Sequence, residues 1–121
     1  MRLVLDTHTL IWWDDDRLPR RVTAAVRNAD VVFVSAVTAW EIAIKSALGK
    51  LVARGTMEDV LADYGFSPLP ISVRHADAVR RLAPHHRDPF DRLLIVQAHT
   101  EDLTIVTRDP VFKLYDVAVR W

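Results

Sequence analysis

Asp6, Glu41, Asp91 and Asp109 are the residues best suited to chemistry in this sequence. Asp6 directly follows the apolar run Arg2-Leu3-Val4-Leu5, and Asp109 comes soon after Thr104-Ile105-Val106-Thr107. Glu41 lies within Val37-Thr38-Ala39-Trp40-Glu41-Ile42-Ala43-Ile44, on a helical face shared with Val37, Trp40, Ile44 and Leu48. Asp91 stands in the first turn of the apolar segment that begins at Phe90. A carboxylate on a buried stripe is costly unless something compensates its charge. Several such acids in one small domain point to a shared cation. Carboxylate oxygens suit hard divalent ions, Mg²⁺ or Mn²⁺. Two such ions, roughly 3.5–4 Å apart, can stabilise both the attacking and the leaving oxygen of an in-line phosphoryl displacement. No Ser, Cys or Lys nucleophile is then required.

Each acid also has a plainer reading. Asp6 before Thr7 is a natural helix cap, and Asp91 meets the favourable end of a helix dipole. Asp109-Pro110 is a common turn opening, and Asp88 before Pro89 would cap the helix that carries Asp91. Glu41 resists such a reading, because the exposed-face alternative Lys45 is expected on another side. His8 could share a crevice with Asp6 or be a packing or surface residue. His85 and His86 precede the acidic Asp88-Pro89-Phe90-Asp91 segment and either contact phosphate or a base or form a solvated loop.

The elements that must position these acids alternate. Residues 2–5 read as a buried strand and Thr7 to Trp13 as a helix, with Asp14-Asp15-Asp16 as a loop. Pro19 opens a helix to about Asn28, and Val31-Val32-Phe33-Val34 is the clearest strand. Ser35 caps a helix to about Leu48, which Gly49 stops. Thr56 with Asp59 resembles a capping box opening a helix to about Tyr64. Phe66 to Ile71, broken by Pro68 and Pro70, is at best an edge strand. Ser72 caps a helix to about Ala83, residues 84–89 form a loop, and Phe90 to Glu101 is a strongly apolar helix. Leu103 to Val106 is a strand, and Val117 to Val119 a last edge strand. This order predicts an α/β sandwich around a parallel sheet. In such sheets ligands bind beyond the carboxyl ends of the strands. If the first, second and fourth strands are neighbours, all four acids converge at one rim.

Composition narrows the rest. A chain of 121 residues with 50% hydrophobic residues fits one domain, residues 1–121, with a core that needs no staples. Without cysteine there are no disulfides or thiolate zinc sites. No stretch approaches the roughly 20 apolar residues that span a bilayer, and a soluble cytoplasmic protein is expected. The formal net charge is zero, so nothing global signals nucleic acid. Arg20, Arg21, Arg74, Arg80, Arg81, Arg87 and Arg92 form either a local phosphate-facing surface or solvated helix faces. There is no Gly-x-Ser-x-Gly elbow, no His-x-x-x-His helix, and only 3 glycines, which removes a Gly-rich phosphate loop. A receiver-type phospho-acceptor would need a second acid beside Asp6, where Thr7-His8 stands. A catalytically silent binding module of the same fold would be expected to lose core acids that are present here.

The sequence resembles PIN-domain ribonucleases, specifically VapC-type toxins of bacterial toxin–antitoxin pairs. Four segments carry the likeness, in order: Leu5-Asp6-Thr7-His8-Thr9-Leu10-Ile11-Trp12-Trp13, Ser35 to Lys45 around Trp40-Glu41-Ile42, Arg87-Asp88-Pro89-Phe90-Asp91-Arg92 running on to Ala98, and Leu103-Thr104-Ile105-Val106-Thr107-Arg108-Asp109. The resemblance implies a three-layer sandwich whose mainly parallel sheet has four to five short strands. It also implies Mg²⁺ or Mn²⁺ in an acidic pocket. By position, Asp6, Glu41 and Asp91 become the core acids and Asp109 the acid at the pocket edge. Asp88, Thr107 and His8 become supporting residues, and Arg87, Arg92 and His86 candidate RNA contacts. Single-strand RNA cleavage leaving a 3′-hydroxyl and a 5′-phosphate is implied, as are a homodimer and a cognate antitoxin that fills an apolar groove. Trp12, Trp13, Trp40 and Trp121 offer aromatic anchors, of which one or two are expected at an interface. Leu48, Leu51, Val52 and Met57 lie near a candidate helix-in-groove site.

Overall fold

Residues 3–5 alternate between two buried faces, and that alternation organises the molecule. The structure is a computed structural model that describes residues 1–49 and 55–121. Leu3, Val4 and Leu5 in β1 (Arg2–Leu5) are fully buried. Leu3 and Leu5 point into one core, with Val32, Val34 and Val106; Val4 points into the other, with Ile105. Side chains on a strand alternate between faces, so a strand covered on both faces reads as an unbroken apolar run.

β1 lies centrally in a five-stranded sheet of order β3-β2-β1-β4-β5, with β2 Val31–Ser35, β3 Ser67–Leu69, β4 Thr104–Val106 and β5 Val119–Arg120. Every pairing is parallel, and Leu5 is in register with Val34 on one side and Val106 on the other. The first, second and fourth strands are therefore neighbours, the condition on which convergence of the acids depended. One face is covered by α1 (Thr7–Asp14), α2 (Arg20–Asn28) and α4 (Met57–Tyr64), which contribute Leu10, Val22, Val26 and Leu61. The other is covered by α6 (Pro89–Glu101) through Leu94, Ile95 and Ala98, and by Phe112. α3 (Ala36–Ala47) serves both cores, with Ile42 in the first and Val37 in the second. Among the described residues no helix is long and apolar enough to cross a membrane.

Several local expectations change. The helix capped by Ser72 is shorter than expected: α5 spans Val73–Ala78, followed by a 3₁₀ turn at Val79–Arg81 and an extended Leu82. Pro84 disfavours helical geometry at Ala83. The Arg92 guanidinium also opposes helical continuation there, because it donates to the carbonyls of Val79, Leu82, Ala83 and His86. At α4 only half of the expected box is formed, Asp59 N donating to Thr56 Oγ1 at 3.2 Å. The complete box is at α5, where Ser72 and His75 cap each other. The turn opening read at Asp109-Pro110 is a 3₁₀ turn over Pro110–Leu114, capped by Asp109. Finally, α3 buries Val37, Thr38, Glu41 and Ile42, whereas Trp40 and Leu48, expected on the buried stripe, are exposed. Of the other expected groove residues, Leu51 and Val52 lie outside the described residues, and Met57 packs against the first core.

Candidate active site

The site is built where β1, β2 and β4 end. Asp6 is the first residue past β1 and caps α1, its Oδ1 accepting from Thr9 N at 2.8 Å. Its Oδ2 accepts from Thr107 Oγ1, just past β4. Asp6 is thus a helix cap and a member of the rim at once, so its two sequence readings do not compete. Thr107 Oγ1 in turn accepts from Asp109 N at 3.1 Å, which ties Asp6 to Asp109 through one buried hydroxyl. Asp109 Oδ1 caps the following 3₁₀ turn through Val111 N, leaving Oδ2 for the rim.

Glu41 is brought in by α3 and is only 4% exposed. Thr7 Oγ1 donates to its Oε1 at 2.5 Å, and Lys45 Nζ lies 2.6 Å from its Oε2. Lys45 was expected on another side of the helix. An (i, i+4) spacing places the two residues on one face, and the lysine stem curls back to neutralise the acid. Asp91 is placed by α6, whose cap is Asp88: Oδ1 accepts from Phe90 N and Asp91 N at 2.8 and 3.1 Å.

Asp91 carries the electrostatic signature of the cluster. Its pKa is raised to about 7, first by burial and then by the neighbouring charge of Asp88, with Asp6 and Glu41 adding to the rise and His86 opposing it. Acids 85 and 50 positions away in sequence are felt at this one carboxyl, counting from Asp6 and Glu41 to Asp91. Like charges held together in a partly dry site resist ionising together.

His86 is the member that sequence reasoning treated only as a weak RNA contact. Its Nε2 lies 3.0 Å from Asp91 Oδ2 and 3.1 Å from Asp109 Oδ2, bridging the two. The three ligand atoms fall within 4.8 Å of one another, a spacing that invites a metal reading. The hydrogen bonding argues otherwise. Asp88 N donates to His86 Nδ1 at 3.2 Å, so in the neutral ring the proton sits on Nε2, facing the carboxylates. A metal-binding histidine shows the opposite polarity, offering a lone pair to the ion and donating from its other nitrogen. His86 is therefore a donor to the acids. Removing it from the ligand set leaves two carboxylates, Asp91 and Asp109; Asp6 is tied to Asp109 through Thr107, and the charges of Asp6 and Glu41 reach Asp91. An all-carboxylate set that resists its own charge fits Mg²⁺ or Mn²⁺. No sequence signal marked His86 beyond its place five residues before Asp91.

The remaining expected residues are not gathered here. His8 is exposed, its ring 5.8 Å from that of Trp12. Arg87 is exposed beside the α6 cap. Arg92, expected to contact RNA, spends its guanidinium on carbonyls of the 79–86 segment and acts as a clamp on that loop. Arg20, Arg21, Arg74, Arg80 and Arg81 are exposed on α2, α5 and the turn after it, which matches solvated helix faces better than one phosphate-facing surface.

A parallel α/β sheet whose carboxyl rim gathers buried acids from separate strands and helices defines a class of small acidic-pocket domain. The family model described as PIN domain matches residues 3–118, and the chain belongs to the PIN domain family. A comparison with curated proteins gives no significant match. Solved structures give several. VapBC-1 from nontypeable Haemophilus influenzae aligns with a TM-score of 0.73 at 18% identity, over 99% of this chain and 97% of that one. FitAcB from Neisseria gonorrhoeae gives 0.65 at 24% identity, covering 97% and 95%. A toxin–antitoxin complex from Klebsiella pneumoniae gives 0.68 at 18%, covering 98% and 96%. At these identities the likeness is one of fold.

Proposed function

We propose that this chain is a VapC-type toxin: a divalent-metal-dependent endoribonuclease of the cytoplasm, neutralised by a cognate antitoxin. The observation that carries the reading is Asp91, whose carboxyl feels Asp6 and Glu41 across the rim and is pushed up to about 7. A pocket that strains against its own charge when metal-free is one that a cation stabilises.

Asp6, Asp91 and Asp109 would hold Mg²⁺ or Mn²⁺. Bound there, the ion would supply an activated water and neutralise charge on the leaving oxygen. The chain's own part is positional. Thr107 fixes Asp6 and Asp109 relative to one another, Asp88 fixes the start of α6 and hence Asp91, and Thr7 with Lys45 fixes Glu41. Such fixed donors spare the site reorganisation as charge develops. Water adds to phosphorus, the bond to the 3′-oxygen breaks, and that oxygen takes a proton, giving a 3′-hydroxyl and a 5′-phosphate.

The partner rests on the neighbours of like fold, among them VapBC-1 and a complex described as toxin–antitoxin. A homodimer is expected for the free toxin. The test is cleavage of labelled RNA by purified protein with Mg²⁺ or Mn²⁺. Cleavage should stop with chelator and with Asp6→Asn; chelator-resistant cleavage would refute the mechanism. In cells, expression should arrest growth and a neighbouring small open reading frame should relieve it.

A further inference from the structure

Asp109 has one oxygen to offer the rim, and that oxygen is already engaged. Its Oδ1 accepts from Val111 N at 2.9 Å. Its Oδ2 accepts from His86 Nε2 at 3.1 Å, and the same nitrogen lies 3.0 Å from Asp91 Oδ2. A hydrogen-bond hydrogen sits about 1.9–2.0 Å from its acceptor. Mg²⁺ sits about 2.0–2.1 Å from an oxygen ligand. An N–H lying between two carboxylate oxygens and an ion bridging them therefore claim the same space. The N–H also turns the positive end of its dipole toward that space, which repels a cation.

We propose that the His86 imidazole is a built-in competitor for the divalent ion: it fills the ion's place between Asp91 and Asp109 and must swing out before the ion binds. The inference rests on the metal-dependent reading above and adds what holds the metal-free site together. The neutral ring suffices, because Asp88 N donates to Nδ1 at 3.2 Å and leaves the proton on Nε2. The ring can move without its loop. The His86 backbone is fixed on both sides, its N–H donating to Tyr115 Oη at 2.7 Å and its carbonyl accepting from Arg92 at 3.1 Å. Apart from the two acids, the ring is held by the Asp88 contact and by an edge-to-face approach to Phe112, with centroids 5.5 Å apart. The side chain is 14% exposed and its neighbours His85 and Arg87 are exposed, so rotation of the side chain carries the ring into water. A histidine that only aimed the acids would make the same contacts with the opposite consequence. Its removal would weaken ion binding, whereas removal of a competitor tightens it.

The test titrates the full-length protein with Mn²⁺ at one fixed pH, by calorimetry and by the paramagnetic resonance of the free ion. His86→Asn keeps an acceptor for Asp88 N but withdraws the donor from the acids. It should bind Mn²⁺ about tenfold more tightly, the scale of one hydrogen bond to a charged group. His86→Gln, whose amide reaches as far as Nε2, should give much of that gain back. Nuclear magnetic resonance of the unsubstituted protein reads the movement without any variant: the His86 Nε2 proton should exchange slowly in the metal-free protein and freely with saturating Mg²⁺. Unchanged or weaker Mn²⁺ binding by His86→Asn, or an Nε2 proton that stays protected in the Mg²⁺-loaded protein, would overturn the competition while leaving the nuclease reading standing. Absence of RNA cleavage by the unsubstituted protein, with His86→Asn still binding Mn²⁺ more tightly, would instead refute the nuclease reading and uphold the competition.

Discussion

Replacing Asp91 by asparagine should stabilise the metal-free protein while destroying its activity. The unfolded carboxyl ionises near 3.8, whereas in the fold it keeps its proton until about 7. Between those values the folded state binds more protons than the unfolded one, so stability falls as pH rises. The contribution of this group is fully present below about pH 4 and is lost by about pH 8. At 1.36 kcal/mol per decade the full effect would be about 4 kcal/mol. The side chain is 23% exposed, and solvent screening reduces this to roughly 2 kcal/mol. Asparagine keeps the shape and still accepts from His86 Nε2, but has no charge to strain the pocket. Metal-free Asp91→Asn should therefore melt roughly 5–10 °C above the unsubstituted protein at pH 8, and close to it at pH 4. Mg²⁺ or Mn²⁺ should raise the Tm of the unsubstituted protein at pH 8 and leave the variant nearly unmoved. Scanning calorimetry from pH 4 to 8, with chelator and with metal, reads all of this. Parallel pH profiles for the two proteins would refute the argument, because Asp91 would then not be the strained member of a shared pocket.

Other expectations follow from the same contacts. Thr107→Val removes the hydroxyl that links Asp6 to Asp109; it should cost about 1–2 kcal/mol by denaturant melting and weaken metal binding measured by titration calorimetry. Lys45→Met leaves buried Glu41 without its cation. Metal-free stability should drop by about 1 kcal/mol, measured by denaturant melting with chelator present. Arg92→Gln frees the carbonyls that the guanidinium gathers, so amide hydrogen exchange should accelerate across residues 79–86 ahead of the sheet. Retained protection there would show that the loop holds itself.

Much of the architecture is local and so can be read along the chain. The run Leu3-Val4-Leu5 has no polar residue to place in water and must be covered on both faces. Ser35, Thr56, Ser72 and Asp88 cap helices through hydrogen bonds reaching only two or three residues. Such signals survive without tertiary context. The acids Asp6, Glu41, Asp91 and Asp109 could be nominated for the same reason, since each interrupts or borders an apolar pattern.

What tertiary structure decided was partnership. Strand order alone makes β1, β2 and β4 neighbours, and no local pattern states that order. Lys45 was assigned to another face until its long stem closed on Glu41, and Arg92 turned inward because a loop offered it carbonyls. His86 entered the site because Asp88 N fixes its ring between Asp91 and Asp109. Propensity and periodicity act over a few residues, whereas charge acts through space, among groups that meet only once the chain has folded.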